Sequence, residues 1–144
     1  MVDFENYTER LNQAIGNSVY RGFKRSNIDL NGSLKKDGYH FKWRGVNYSL
    51  CFVYEENKIF FIFDASIGKE NHSLETRIRR ELISNRELNN TRYLAGQRLD
   101  IEGRKVNLRC RLKRNPQEDK DINNLCDLIW GQLVKRAMRG IYGE

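Results

Sequence analysis

The chain has 144 residues, is 39% hydrophobic and 11% aromatic, and carries a formal net charge of +7. This length suits one domain spanning residues 1–144, and this apolar content excludes a disordered chain. The longest apolar run, Ile59 to Phe63, is far shorter than the ~20 residues that cross a bilayer, and the first residues lack the pattern of a secretory signal. We therefore expect a soluble protein with no membrane partner.

The three cysteines, Cys51, Cys110 and Cys126, are widely spaced and odd in number. They fit neither a disulfide framework nor a zinc motif, so we expect three buried thiols in a reducing, cytoplasmic setting. We expect no metal and no cofactor, since the chain also lacks a glycine-rich phosphate loop.

The first predicted helix begins at Asp3, whose side chain suits the N-cap position. Apolar residues then recur at steps of three and four, which places them on one stripe of a helix: Phe4, Tyr7, Leu11, Ile15 and Val19. Gly22 and the polar residues 26–38 are expected to end this helix.

Three strands are predicted next, as a meander. Tyr39, Phe41 and Trp43 alternate with polar residues, which is the period of a strand. A two-residue turn at Arg44-Gly45 sets these three residues against Leu50, Tyr48 and Val46, respectively. A second turn at Glu56-Asn57 sets Tyr54 against Ile59, Phe52 against Phe61 and Leu50 against Phe63. Both turns place every apolar residue on one face, and a slip of one residue would destroy that match.

A second helix is predicted from Ser73, with Leu74, Ile78 and Leu82 facing inward. It is expected to fray near Asn89-Asn90, and Gly96 is expected to close the segment. Its arginines, Arg77, Arg79 and Arg80, alternate with Glu75 and Glu81, which favours a salt-bridged helix surface.

The remaining elements are a hairpin and a last helix. Glu102-Gly103 is the predicted turn, with Leu99 opposite Val106. The helix is predicted to begin with Asn115 as its cap, Pro116 at the first position and Glu118 completing a capping box, and to stop at Gly140. The prediction is therefore an α+β fold with a five-stranded antiparallel sheet, in the order α-β-β-β-α-β-β-α.

The main candidate site is a concentration of positive charge in residues 98–114, which carry +5 of the chain's +7. Alternation projects much of this charge from one sheet face, where it suits contacts to phosphate. The predicted nucleic-acid-binding residues are Arg98, Arg104, Lys105, Arg109, Arg111, Lys113, Arg114, Lys42 and His40. The alternative is a solvated face whose charges keep an edge strand from aggregating.

The last helix offers a second candidate surface, because its apolar residues cover close to half of its circumference. One interpretation is a homodimer interface or a groove for a protein partner, with Trp130, Val134 and Met138 as the contact residues. The other interpretation is burial against both the sheet and a neighbouring helix.

A catalytic role is not favoured, because no catalytic motif appears in its structural context. His40 and Cys51 are placed near one another by the meander, but a third, orienting group cannot be inferred. Asp64 with Glu70 or Glu75 is a poor match for a metal-dependent nuclease, since Arg77 stands where a lysine beside the second carboxylate is wanted.

Two resemblances concern the order of elements alone. The first five elements resemble a double-stranded-RNA-binding domain, although the second helix begins Ser73-Leu74-Glu75-Thr76 and lacks the lysine-rich start of that family. The whole order resembles the secretion chaperones of type III systems, which are dimers that wrap unfolded effectors and are generally acidic.

We therefore expect a non-enzymatic protein whose basic sheet face contacts nucleic acid, a nucleic-acid-handling complex or an acidic protein surface. A small phage-encoded inhibitor of such a complex fits the size and the charge. The alternative is a dimeric adaptor, similar to a secretion chaperone, that uses its C-terminal helix.

Overall fold

A computed structural model describes residues 3–68, 73–83 and 94–142. The predicted α+β class with an antiparallel sheet is confirmed, but the sheet has six strands rather than five, in the spatial order β1-β2-β3-β4-β6-β5. The strands are β1 (Ser33–Lys35), β2 (Gly38–Trp43), β3 (Val46–Glu55), β4 (Lys58–Ser66), β5 (Leu94–Glu102) and β6 (Lys105–Leu112). The helices are α1 (Phe4–Arg25), α2 (Leu74–Ile83), α3 (Asp119–Ile129) and α4 (Lys135–Tyr142), with a π-helical segment, Trp130–Val134, between the last two.

The predicted meander is confirmed in every pairing. Tyr39 lies opposite Leu50 and Trp43 opposite Val46 in the first hairpin, and Phe52 lies opposite Phe61 in the second. Both turns hold two residues at positive φ, at 50° and 78° for Arg44 and Gly45, and at 50° and 65° for Glu56 and Asn57. That turn geometry matches the twist of the flanking strands, so it fixes the register.

Strand β1 was not predicted; it lies within residues 26–38 and pairs with β2. Two predictions about the other strands are wrong. The second hairpin turns one residue later than Glu102-Gly103, so Leu99 lies opposite Leu108 and Ile101 opposite Val106. This register pairs two apolar residues with apolar partners, whereas the predicted one would have set Ile101 against a charged residue. Gly96 does not close a helical segment but lies in β5 at a bulge, with φ of 63°.

Helix α1 begins as predicted, since the Asp3 carboxylate accepts hydrogen bonds from the backbone N–H groups of Glu5 and Asn6. It does not end at Gly22 but continues to Arg25. The absence of a side chain at Gly22 makes room for the indole of Trp130. Helix α1 is also tied to the sheet by the buried side chain of Asn12. Its Oδ1 accepts from the Phe52 backbone N–H at 2.6 Å, beyond the point where β2 ends.

The predicted start of the last helix is wrong by three residues. Helix α3 begins at Asp119 after Glu118, which makes no side-chain cap bond. Pro116 is instead buried in extended chain, where its carbonyl accepts a hydrogen bond from the Tyr7 hydroxyl. The helix also runs through Gly140, whose lack of a side chain lets α4 approach the backbone of Ile78 in α2.

The wide apolar surface of the C-terminal helix is explained by two neighbours on different sides. Its first half packs against α1 and its last part against α2, while its buried residues join the core of the sheet. The interpretation of burial on two sides is therefore the one that the fold supports. A single core includes buried side chains from all the helices and from one face of the sheet.

Helix α2 presents Leu74, Ile78 and Leu82 to the core, as predicted, and all three are buried. The predicted salt-bridged surface is present in the pair Arg79–Glu75, at 2.9 Å. The predicted fraying near Asn89-Asn90 lies outside the described residues. Arg77 has a different role, because its guanidinium donates to the carbonyl oxygens of Gly140 and Ile141 at 2.9 and 3.2 Å.

Replacing Arg77 by alanine is expected to lower the free energy of unfolding by about 1.5–3 kcal/mol, because two carbonyls at the end of α4 lose a charged donor. Urea denaturation measures the change. Arg80→Ala, an exposed site on the same helix, is the matched control and is expected to change stability by less than about 0.5 kcal/mol. Equal effects of the two substitutions would show that the contact with α4 contributes nothing.

Candidate binding surface on the open face of the sheet

The sheet has one face packed in the core and an opposite face, which we call the open face. Alternate residues along each strand separate the two: on β6, Val106, Leu108 and Cys110 are buried, while Asn107 and Arg109 are partly exposed. The open face is the only part of the fold that gathers many polar side chains from all six described strands.

The predicted basic residues divide between this face and its margins. Arg104 lies in the β5–β6 turn, and Lys113 and Arg114 lie beyond the end of β6. The other six occupy open-face positions in the observed register: Arg98, Lys105, Arg109, Arg111, Lys42 and His40.

The open face is less basic than the sequence count suggests. Its lysines and arginines number seven, since Lys35 and Lys58 join the five named above, and neighbouring strands add the carboxylates of Glu55, Asp64, Asp100 and Glu102. The net charge of the face is therefore +3. Ion pairs join Arg109 to Glu55 at 2.5 Å and Arg98 to Asp100 at 3.1 Å. A hydrogen bond of 2.9 Å joins His40 Nε2 to Asp37 Oδ1.

One half of the open face combines arginine with apolar side chains, and we call it the arginine–aromatic patch. The guanidinium carbon of Arg109 lies 4.0 Å from the ring centroid of Phe60. The same guanidinium donates a hydrogen bond to Glu55 Oε2. Arg111 is the cross-strand neighbour of Phe60. The partly exposed side chains of Val53, Ile62 and Cys51 complete the patch. A flat cation over a ring, with apolar surface around it, suits stacking of another planar group.

The other half is a polar depression with a volume of about 650 Å³. Short side chains in adjacent strands, Ser49, Asp64 and Asn107, form its middle, while His40 and Arg98 are among the longer side chains that line it. The Asn107 amide donates to Asp64 Oδ1 at 2.8 Å. This half therefore offers hydrogen-bond donors and acceptors rather than positive charge alone.

Two of the three predicted partner-binding residues of the C-terminal helix are not on the surface. Val134 and Met138 are buried core residues, so the helix does not present them to a partner. Trp130 is partly buried, and it packs against the ring of Phe23, at a centroid distance of 5.4 Å, and against the backbone at Gly22.

The groups considered for catalysis do not assemble. His40 lies opposite Ser49, as expected, but its Nε2 is engaged by Asp37, and burial raises the pKa of the Cys51 thiol to about 11. Such a thiol is protonated at neutral pH and is a poor nucleophile. Glu75 pairs with Arg79, and Glu70 lies outside the described residues. Among the residues described, no three His, Cys, Asp or Glu side chains are arranged to hold a metal ion.

Sequence reasoning did not include in the candidate site the residues that give the open face its character. Phe60, Asp64 and Glu55 come from the meander, and only the pairing of β4 with β6 brings them beside the basic hairpin. One signal for this part of the site was available in the sequence. Apolar residues stand at positions of the alternation where polar residues are expected, namely at Val53, Phe60 and Ile62.

Within the described residues, no helix combines the length and the apolar character that crossing a bilayer requires. Comparison of the chain with protein-family models, with curated proteins and with solved structures finds no match, so the geometry of the open face carries the functional argument alone.

Proposed function

We propose that this protein binds single-stranded nucleic acid on the open face of its sheet. The observation that carries the proposal is the arginine–aromatic patch, with the Arg109 guanidinium over the ring of Phe60 and Arg111 beside it. Single strands expose their bases, and proteins bind them by stacking bases on aromatic rings or guanidinium planes while cationic groups contact the phosphates.

The charge pattern favours a single strand over a duplex. Duplex binding depends on neutralising closely spaced phosphates, and the open face intersperses four carboxylates among its cations. A single strand can set its phosphates against Arg111 and Lys58 and turn its bases toward the apolar part of the face. A phage-type inhibitor that competes for the strand of a nucleic-acid-handling complex is a narrower form of the same proposal.

Fluorescence anisotropy with labelled single-stranded RNA, single-stranded DNA and duplex DNA of about twelve nucleotides tests the proposal. We expect micromolar or tighter binding of single strands at low salt. The slope of log K against log salt is expected between about −1.4 and −2.1, since two to three phosphate contacts each contribute about −0.7. Tighter binding of the duplex, or no binding at about 50 mM salt, would refute single-strand recognition.

Poly-glutamate of similar length is the matched competitor. It carries negative charge without bases to stack, so we expect it to displace RNA poorly. Displacement by poly-glutamate as effectively as by unlabelled RNA would assign the surface to an acidic protein instead.

A further inference from the structure

The polar depression lies on the same open face as the arginine–aromatic patch but has a different chemistry. It has a volume of about 650 Å³, and its lining includes the carboxylates of Asp64, Asp100 and Glu102 beside Arg98 and Lys105. Carboxylates repel phosphate, so this half of the face is unsuited to the backbone of a nucleic acid. It is suited to a group that carries hydrogen-bond donors.

Asp64 has the central position in this depression. The observed register places Ser49 opposite Asp64 on one side and Asn107 opposite Asp64 on the other. The Asn107 amide holds Asp64 Oδ1 at 2.8 Å, which orients the carboxylate. Asp64 is nevertheless exposed, so both of its oxygens retain lone pairs for a ligand.

We propose that Asp64 recognises a guanine base of the bound strand, an inference that rests on the proposed function. The Watson–Crick edge of guanine presents two adjacent donors, N1–H and the N2 amine, which match the two oxygens of one carboxylate. On the same edge adenine presents one donor beside one acceptor, cytosine one donor and two acceptors, and uracil one donor between two acceptors, so none of them offers two adjacent donors. Lys105 and Arg98 line the same depression and supply donors for the guanine O6.

The depression and the arginine–aromatic patch both include residues of strand β4, so one bound nucleic-acid segment can contact both. Phe60 and Asp64 are four residues apart on β4 and both belong to the open face, so they lie roughly 13 Å apart at about 3.3 Å per residue. A nucleic-acid strand that follows β4 can stack one base on the patch and place a nearby base in the depression.

The test uses a labelled oligouridine of about twelve nucleotides in which one central uridine is replaced by guanosine or by inosine. Inosine lacks only the N2 amine, so it removes one of the two donors that Asp64 would accept. We expect the guanosine strand to bind about tenfold more tightly than the inosine strand. In Asp64→Asn, which offers one acceptor oxygen instead of two, the two affinities are expected to agree within about twofold.

Asp29→Asn, an exposed aspartate in the loop after α1, is the matched control and is expected to keep the guanosine preference. Unmodified oligouridine is expected to bind Asp64→Asn at least as tightly as the native protein, because the substitution removes one negative charge and no contact to guanine is present to lose. Equal affinities of the native protein for the guanosine and inosine strands, or a preference that survives in Asp64→Asn, would overturn the guanine assignment alone. Failure of every strand to bind would overturn the proposed function itself.

Discussion

Replacing Arg109 and Arg111 together by glutamate is expected to weaken the binding of single-stranded RNA at least about thirtyfold, which corresponds to ~2 kcal/mol. Arg109→Glu removes the guanidinium plane over Phe60 and adds a carboxylate close to Glu55. Arg111→Glu puts a second negative charge beside the same ring. The change therefore removes a stacking surface at Arg109 and the phosphate contact of Arg111, and it adds repulsion. Anisotropy titrations at a fixed salt concentration measure the loss.

The control for this change is Lys120→Glu with Lys135→Glu, two exposed lysines on the C-terminal helix. It alters the net charge by the same amount but lies on the helical side of the fold, so we expect less than about a threefold loss of affinity. Circular dichroism should show both double variants folded, since all four side chains lie at or near the surface. Equal losses in both would mean that net charge, and not the open face, determines binding.

Replacing Gly140 by alanine is expected to lower the free energy of unfolding by about 2 kcal/mol. A Cβ atom at this position would lie 2.8 Å from Ile78 Cα and 3.0 Å from Ile78 N. Both are backbone atoms, so α2 and α4 would have to separate rather than rotate one side chain away. Because α2 makes its main helix contact with α4, the packing of Ile78 would loosen with it. Urea denaturation of the whole chain measures the effect.

Gly131→Ala is the matched control, because no atom lies within 4 Å of the Cβ that it would add. It lies in the π-helical segment of the same helix, where alanine reduces the conformational freedom of the unfolded chain. We expect unchanged stability or a gain of up to about 1 kcal/mol. A loss of equal size at both glycines would show that the close approach to Ile78 is not the cause.

The meander could be predicted because two independent signals agree. The alternation of apolar residues gives each strand its buried face, and the two-residue turns then allow one register, which places Phe52 against Phe61. Strand β1 gave no such signal, since all three of its residues are exposed. The start of α3 was misplaced because the tertiary contact of Tyr7 with Pro116 keeps that segment extended and overrides a good local capping sequence.

The candidate surface could be predicted only in part. Alternation in β6 correctly places Arg109 and Arg111 on one face, since it depends on one strand alone. The alternation does not show which strand lies beside β6, although the side chains of that neighbouring strand contribute to the net charge of the open face. The crossover places β4 beside β6, and so brings Asp64 next to Asn107. The mixed chemistry of the open face is thus a product of topology.

The helical layer over the sheet is assembled from opposite parts of the chain. Ser18 donates to the Asp127 carboxylate at 2.7 Å, across more than a hundred residues of sequence. At a synthesis rate of about 5–20 residues per second, the aromatic face of β2–β4 emerges from the ribosome of the order of ten seconds before the C-terminal helix can complete the helical layer that α1 begins. Nascent chains of this protein should therefore need chaperones that bind the exposed aromatic face during that interval. This need should end when the C-terminal helix leaves the ribosome and packs on the sheet.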